Sequence, residues 1–156
     1  MNKVPIILSA IATAALAGCT SSEQSDYNAL GPDGWAYGDT IRFFNSEADT
    51  VALDGSLAVA VRHTNGYPYS NLWLEITLPE ADTVRVDTVD VRLADTFGRW
   101  YGTGIGVSYQ RIDTIYPSIS IPAGAPVTVR HIMRVDTVTG IEQIGLILTP
   151  ENAIDK

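Results

Sequence analysis

Cysteine is almost absent from this chain of 156 residues, which contains a single one, Cys19. One thiol cannot form an intramolecular disulfide, and it cannot build a thiolate metal site by itself. A folded domain in this chain must therefore be stabilised by its hydrophobic core alone. The chain is long enough to bury such a core within one domain.

Long hydrophobic runs are equally scarce. The one conspicuous run covers residues 4–16, follows Lys3, and is shorter than a helix needs to be to cross a bilayer. A basic start followed by a short apolar segment is typical of a secretory signal. The rest of the chain has no second apolar run long enough to span a bilayer, so attachment to a membrane would need some other anchor.

The residues around Cys19 indicate the kind of anchor. The sequence Leu-Ala-Gly-Cys at 16–19 resembles a bacterial lipobox, whose cysteine is acylated and becomes the first residue of the mature protein. We therefore expect residues 1–18 to be a lipoprotein signal peptide and Cys19 to be the lipidation site. The alternatives are a plain signal peptide or an uncleaved anchor, with an incidental cysteine. Small residues directly before the only cysteine favour lipidation, and two or three acyl chains anchor a protein firmly.

Positive charge is in short supply. Ten Lys and Arg residues stand against eighteen Asp and Glu residues, which gives a formal net charge of -8 at pH 7. An acidic surface opposes binding to nucleic acid and to anionic lipid head groups. We therefore predict no nucleic-acid partner, and contact with the membrane only through the N-terminal lipid.

Helical periodicity is missing outside the signal segment, whereas alternation of apolar and polar residues is frequent. Leu57, Val59, Val61 and His63 share one parity, and residues 72–78 alternate in the same way. In residues 83–93 the parity slips by one, which predicts a β-bulge near Asp87. Short strands with Gly and Pro between them predict an all-β domain, an antiparallel β-sandwich that is jelly-roll-like or Ig-like.

The domain boundaries follow from composition. Residues 20–26 are polar and lack a periodic apolar pattern, and turn residues occupy 28–34. We therefore expect a lipidated flexible tether over 19–34, one β-sandwich domain over 35–150 that begins at Trp35, and a C-terminal tail over 151–156.

Catalytic motifs are absent as well. The sequence has no Gly-x-Ser-x-Gly elbow, no His-Glu-x-x-His helix, and no phosphate-binding loop that leads into a helix. Its two histidines, His63 and His131, fall on the apolar parity of their strands. They could pair or bind a metal with Asp90 or Asp95, but core histidines held neutral by burial are the favoured interpretation. We predict no catalytic residue, no metal and no cofactor.

The most suggestive segment joins two well-patterned strands at residues 63–73. It contains an Asn-Gly pair and the triplet Tyr67, Pro68 and Tyr69, and Trp73 lies on the parity opposite the core. Two interpretations stay open. The rings are exposed interface anchors on a stiff loop, or they close one end or the second face of the sandwich.

A glycine-rich segment at 98–106 contains Trp100 and Tyr101. No helix is predicted behind it, so it lacks the helix N-terminus that a pyrophosphate site requires. We expect its glycines to permit a bend and a close backbone approach beside Trp100. Trp100 and Tyr101 join Tyr67, Pro68, Tyr69 and Trp73 as candidate partner-binding residues.

With these segments identified, the chain resembles the gliding-motility lipoprotein GldH family of Bacteroidetes. The matching blocks are the lipobox, Arg-His-x-x-x-Tyr-Pro-Tyr-Ser-Asn-Leu-Trp at 62–73, Leu-Ala-Asp at 93–95, Gly-Arg-Trp-Tyr-Gly-x-Gly at 98–104, His-x-Met-Arg at 131–134, and the stretch 141–148. The resemblance implies a non-enzymatic lipoprotein of the cell envelope, grouped with the gliding machinery and its associated type IX secretion apparatus.

The sequence leaves three functions open. The leading hypothesis is a lipid-anchored β-domain, expected at the outer membrane on either its periplasmic or its surface face, that docks on other envelope proteins through aromatic residues. The alternative is a glycan-binding outer-membrane lipoprotein that stacks sugar rings on the same aromatics. A weaker third hypothesis is a hydrolase that combines a histidine with Glu75, Asp90 or Asp95.

Overall fold

The computed structural model describes residues 23–44 and 53–151 of the chain. Within those ranges every strand pair is antiparallel, and no helix is long and apolar enough to span a bilayer. The strands in chain order are β1 (Gln24–Ala29), β2 (Trp35–Ala36), β3 (Ile41–Phe43), β4 (Leu53–Thr64), β5 (Asn71–Pro79), β6 (Val84–Arg92), β7 (Thr103–Ile105), β8 (Ser108–Ile121), β9 (Val127–His131), β10 (Thr137–Val138) and β11 (Ile141–Pro150).

These strands form two main sheets and a short ribbon. The five-stranded sheet has the order β1-β11-β4-β8-β7, the four-stranded sheet has the order β3-β9-β5-β6, and β2 pairs with β10. Buried apolar side chains from both sheets meet in one core, among them Leu57, Val59, Leu74, Ile76, Val129 and Leu146. The prediction of an all-β antiparallel sandwich in one domain is confirmed.

The predicted faces of the central strands are confirmed as well. Leu57, Val59, Val61 and His63 of β4 are all 0% exposed, and the alternating leucines and isoleucine of β5 are buried in the same way. Because successive side chains of a strand point to opposite faces, Trp73 is left on the outer face of the four-stranded sheet. Its side chain is 40% exposed.

The predicted bulge in β6 is wrong. β5 and β6 pair without interruption along their whole lengths. Val84 and Val86 therefore lie on the outer face, where they are 59% and 56% exposed. The alternate positions, Arg85 and Asp87, lie on the inner face. The Asp87 carboxylate accepts a 2.7 Å hydrogen bond from the hydroxyl of Tyr116. Two polar residues thus close this edge of the sandwich, where an apolar pair had been expected.

The folded body also begins earlier than predicted. Strand β1 pairs with β11 along its whole length, with Gln24 opposite Leu148. The carboxylate of Asp26 accepts a 2.9 Å hydrogen bond from the backbone N–H of Phe44, which ties β1 to the end of β3. The tether predicted over 19–34 is therefore wrong for the residues of β1, because a backbone ladder orders them without an apolar pattern. The domain starts at Gln24 instead of Trp35.

Several predicted segments lie outside the described residues. They are the signal peptide at 1–18, the lipidation site Cys19, the first part of the tether at 20–22, and residues 152–156 of the tail.

The sandwich has two ends that matter for function. At the Gln24 end, β1 begins beside the last residues of β11, and β8 also ends there because Ile121 pairs with the start of β4. Strand β5 ends at the same place, since Leu78 and Pro79 line a cavity of about 420 Å³ together with residues of β8 such as Ser120. At the opposite end, the Thr64 end, the loop of residues 65–70 joins β4 to β5.

Candidate functional site

One cavity among the described residues lies on the outer side of the four-stranded sheet, towards the Thr64 end. Its volume is about 660 Å³, and its lining consists of Tyr69, Asn71, Trp73, Ile132, Met133, Arg134 and Val135. We call these seven residues the aromatic groove. Two of the six residues predicted to bind a partner, Tyr69 and Trp73, are brought together in it.

The two walls of the groove are fixed to each other by the backbone. One wall is the start of β5, and the other is the segment that continues β9 beyond His131. The N–H of Ile132 donates a 2.9 Å hydrogen bond to the carbonyl of Trp73, and the N–H of Trp73 lies 3.3 Å from the sulfur of Met133. Met133 is itself 8% exposed. The groove is therefore a preformed feature of the sheet, with Trp73 held at its centre.

Tyr67 lies beneath this wall and is not on the surface. Its side chain is 3% exposed, which corrects the expectation that its ring is displayed by the loop. The ring packs edge-on against Tyr69 with centroids 5.6 Å apart, and its hydroxyl donates a 2.8 Å hydrogen bond to the carbonyl oxygen of Asn71. Burial raises the pKa of the Tyr67 hydroxyl, so the group stays a proton donor. Tyr67 supports the groove from below.

A second, smaller cavity adjoins the groove. It has a volume of about 260 Å³ and shares the residues from Ile132 to Val135, with Tyr37 and Asp136 on its other side. Tyr37 is 46% exposed, and the guanidinium carbon of Arg130 lies 5.8 Å from the centre of its ring. The segment 132–136 therefore has an aromatic residue on each side, Trp73 and Tyr37.

Most polar groups next to the groove already have partners. Arg130 and Glu75, which lie beside Trp73 on the outer face, form a bidentate pair at 2.7 and 2.9 Å. The hydrogen bond from Arg130 holds the pKa of Glu75 below its usual value. The amide nitrogen of Asn71 donates to the carboxylate of Asp90 at 2.6 Å.

Arg134 differs from these groups. Its side chain is exposed at the rim of the groove, and no ion pair involves it within the described part of the chain. The groove therefore combines apolar lining residues with one cation that is available to a ligand.

The remaining predicted residues lie outside this lining. Pro68 is exposed in the loop between β4 and β5. Trp100 is half-buried against His63, with ring centroids 4.5 Å apart. Tyr101 is 39% exposed and has the guanidinium carbon of Arg111 at 5.3 Å from its ring. Trp100 and Tyr101 thus form a separate aromatic site beside β7 and β8.

A tight turn leads into that second site. The carboxylate of Asp95 accepts hydrogen bonds from the N–H groups of Phe97 and Arg99 at 2.8 and 2.9 Å, and from the Arg99 guanidinium at 2.7 Å. These bonds, that from the Arg99 N–H first, lower the pKa of Asp95. Asp95 is therefore occupied by its own turn.

The two histidines are both completely buried and have different neighbours. His63 is surrounded by Tyr67, Trp100 and Tyr109, and its Nδ1 lies 3.0 Å from the backbone oxygen of Thr64. Burial lowers the pKa of His63, although that hydrogen bond offsets part of the decrease. Its ring is therefore harder to protonate than a solvated imidazole.

His131 contacts Trp35 and Tyr37 edge-on, at centroid distances of 5.3 and 5.7 Å. Neither of its ring nitrogens has a hydrogen-bond partner within the part of the chain that the structure describes. Burial lowers the pKa of His131, with the nearby backbone of Trp35 and Ala36 acting in the opposite direction. Neither histidine lines the groove, so the histidine–carboxylate pair that the hydrolase hypothesis needs is not formed there. Among the described residues no group of three or more His, Cys, Asp or Glu side chains is placed to hold a metal ion.

Sequence reasoning missed one wall of the groove. Ile132 and Arg134 of this wall were not among the candidate site residues, and neither was Tyr37 of the adjoining cavity. Met133 and Val135 had been assigned only to the apolar side of a strand. The only sequence signal at this wall was the His-x-Met-Arg block at 131–134.

Comparison with known proteins gives one match. The family model described as GldH lipoprotein matches residues 23–148, a range that includes all of β1 and both walls of the groove. No significant match was found among curated proteins or among solved structures. Because the family match covers most of the chain, the protein belongs to the GldH lipoprotein family and is a lipid-anchored protein of the cell envelope.

Proposed function

We propose that this lipoprotein is a non-enzymatic component of the gliding-motility machinery and its associated type IX secretion apparatus, and that it docks on another envelope protein through the aromatic groove. The observation that carries the proposal is the groove itself. Tyr69 and Trp73 face Ile132 and Met133 across a cavity of about 660 Å³, on a wall that the backbone holds in place. Rigid, partly exposed aromatic residues are the usual anchors of protein interfaces.

The chemistry of the groove favours a polypeptide as the occupant. The apolar part of its lining consists of Trp73, Ile132, Met133 and Val135, which matches apolar side chains of a partner. Arg134 at the rim adds one unpaired cation within the described residues. We therefore propose an apolar segment of an envelope protein, next to a carboxylate that pairs with Arg134.

A glycan is the second candidate, and one observation favours it. Trp73 is 40% exposed, so its ring has a face on which a sugar could stack. However, sugar sites also need several free polar groups, and those beside Trp73 are already paired: Glu75 with Arg130, and Asn71 with Asp90. The protein partner is therefore the better match to this lining.

The test is the affinity of the purified lipoprotein for its purified partner, once crosslinking in cells has identified that partner. Trp73→Ala should weaken binding by at least about tenfold, since central aromatic anchors contribute about 2 kcal/mol or more. Ile112→Ala is the matched control, because Ile112 is 50% exposed on the outer face of the other sheet. If both substitutions weaken the affinity equally, or if neither weakens it, the groove is not the docking surface. Saturable binding to a polysaccharide that Trp73→Ala abolishes, with no protein partner, would favour the glycan instead.

The charge at the rim gives a second arm of the same experiment. Arg134→Glu should slow association and reverse the salt dependence of the association rate, because rim charges act mainly on encounter. Arg62→Glu is its control, since Arg62 is exposed near the same end but lies outside the groove lining. If the two variants behave alike, a carboxylate next to Arg134 is not part of the partner.

We further propose that Cys19 carries the lipid and that the protein resides in the outer membrane. The lipobox sequence at 16–19 supports this assignment. Cys19→Ala should prevent metabolic labelling with a fatty acid and release the protein from the membrane fraction. Labelling that survives the substitution would place the lipid elsewhere, and sedimentation of the native protein with the inner membrane would contradict the location.

A further inference from the structure

We propose that the Gln24 end of the sandwich faces the lipid bilayer, so that the aromatic groove lies towards the end that is away from the membrane. The partner must then be a protein that is soluble in the adjoining compartment or that projects well beyond the lipid head groups. This orientation rests on the proposed lipidation of Cys19.

The first step of the argument is the length of chain between the lipid and the fold. Because β1 begins at Gln24, only the four residues 20–23 separate it from Cys19. A chain advances at most about 3.5 Å per residue, so this connection reaches about 17 Å when fully extended. Gln24 is therefore confined to a thin layer next to the membrane. The sixteen-residue tether predicted over 19–34 would have allowed a larger distance, but β1 shortens the connection.

The second step is the direction of the strands. Gln24 lies opposite Leu148, near the end of β11, and the loop of residues 122–126 that follows β8 lies at the same end. Strand β5 starts at the Thr64 end with Asn71 and runs towards the Gln24 end, where Pro79 lies beside the last residues of β8. The groove is built on the first residues of β5. It is thus at the far end of the sandwich from the anchor.

The third step is distance. Six residue steps separate Trp73 from Pro79, and a strand rises about 3.3 Å per residue, so Trp73 lies about 20 Å above the Gln24 end. A partner buried wholly in the bilayer could not reach it across that height. The groove is accessible to a protein that stands outside the head-group layer.

The fourth step is the charge at the Gln24 end. Exposed carboxylates occur there on Glu23, Asp54, Glu80 and Asp82, whereas the nearby Arg85 is already paired with Asp87 at 2.6 Å. Such an end is not attracted to an anionic lipid surface. Contact with the membrane is therefore left to the acylated cysteine.

The experiment measures the height of each end above a membrane. Because Cys19 is the only cysteine and is acylated, a second cysteine gives a single labelling site. Ala123→Cys places a dye in an exposed loop at the Gln24 end, and Ser70→Cys places one in an exposed loop at the Thr64 end. The full-length lipidated proteins are inserted into vesicles of phosphatidylethanolamine and phosphatidylglycerol that carry a head-group acceptor. Energy transfer then reports the distance of each dye from the lipid surface.

We expect strong transfer from position 123 and weak transfer from position 70, with a height difference of about 25 Å from the rise of β5. Equal transfer at both positions, or stronger transfer at position 70, would overturn the orientation. A Gly-Ser segment of about twenty residues inserted between Ser22 and Glu23 should shrink the difference, since a long flexible linker lets the domain tumble. If the difference survives that insertion unchanged, the short connection does not set the orientation.

Flotation of the same samples separates this inference from the proposed function. If the protein does not float with vesicles, or if Cys19→Ala floats equally well, the proposed anchor at Cys19 is wrong and the orientation argument falls with it. If the protein floats through Cys19 but the dye at position 70 is nearer the lipid, only the orientation is wrong. In that case the groove can still dock a partner, but one close to the membrane surface.

Discussion

The hydroxyl of Tyr67 donates a hydrogen bond to the backbone carbonyl of Asn71, 2.8 Å away, and so closes the loop between β4 and β5 on itself. This contact explains why a tyrosine in the middle of an exposed loop is 3% exposed. Its ring is the support on which Tyr69 packs, and the loop end it fixes is the first residue of β5, two residues before Trp73. The geometry of the groove therefore depends on a residue that is itself buried.

The first prediction concerns that support. Tyr67→Phe keeps the ring and removes the hydrogen bond, so it should lower the free energy of unfolding by about 1 kcal/mol. Tyr67→Ala also leaves a cavity and should cost about 3 to 5 kcal/mol. Urea denaturation of the soluble domain measures both. A Tyr67→Ala domain as stable as the native one would show that the ring is not part of the core.

The second prediction concerns the start of the fold. Deleting residues 24–29 uncovers the edge of β11, so the soluble domain should lose more than about 2 kcal/mol of stability and should aggregate. Deleting residues 20–22 from the same soluble protein is the control, and it should leave the unfolding midpoint unchanged. If both deletions are neutral, β1 does not contribute to the fold.

The third prediction compares two glycines with the same backbone conformation. Gly98 and Gly102 have φ angles of 80° and 86°, but of the two only Gly102 is so placed that a Cβ atom would collide with backbone, at the carbonyl oxygen of Gln110. Gly98→Ala should therefore cost about 1 to 2 kcal/mol from conformational strain alone. Gly102→Ala should cost clearly more and disturb the pairing of β7 with β8. Equal thermal midpoints for the two variants would contradict the close approach beside Trp100.

The fourth prediction concerns pH. Burial lowers the pKa of His63 and His131 below the usual value of 6.5, so below that pH the unfolded chain takes up protons that the folded domain does not. Above about pH 6.5 the two histidines therefore do not lower the free energy of unfolding. Below that pH the free energy of unfolding falls, by up to about 1.4 kcal/mol per pH unit for each histidine.

Denaturation curves at about pH 7.5 and pH 5.5 measure this slope, because these values lie on either side of the usual histidine pKa. The carboxylates with lowered pKa, Glu75, Asp87 and Asp95, lose their contribution only at more acidic pH. A His131→Phe variant should show a shallower slope between the two conditions. Equal stability of the native domain at both would mean that the histidines are not buried in neutral form.

The sequence was sufficient to predict strands whose one face is apolar. In β4 and β5 the alternation of Leu, Val and Ile with polar residues determined both the strands and the faces, because a half-buried strand requires that pattern. The parity of Trp73 followed directly. These features are local, and a single strand is enough to recognise them.

Strand β1 could not be predicted in the same way. Its inner positions, Gln24, Asp26 and Asn28, are polar and only half-buried, so no apolar period marks the strand. Its order comes from backbone pairing with β11, more than a hundred residues later in the chain. The faces of Val84 and Val86 are equally non-local, because the register with β5 turns them outward.

The candidate site shows the same division: the residues that are close together in the sequence could be predicted, and the distant wall could not. Tyr69 and Trp73 lie close together in the sequence, so the segment 63–73 alone was enough to predict them as site residues. The opposite wall, from Ile132 to Val135, is about sixty residues away and meets them only because β9 pairs with β5. Tyr67 was misplaced because the hydrogen bond that turns its ring inward depends on the shape of the folded loop.

The most direct test of docking at the aromatic groove is crosslinking in living cells from a photoreactive amino acid placed at position 73 or at position 112. The groove account predicts a covalent adduct with one envelope protein from position 73, and none with that protein from position 112. An adduct with that protein from position 112 and none from position 73 would contradict docking at the groove and move the interface to the outer face of the five-stranded sheet.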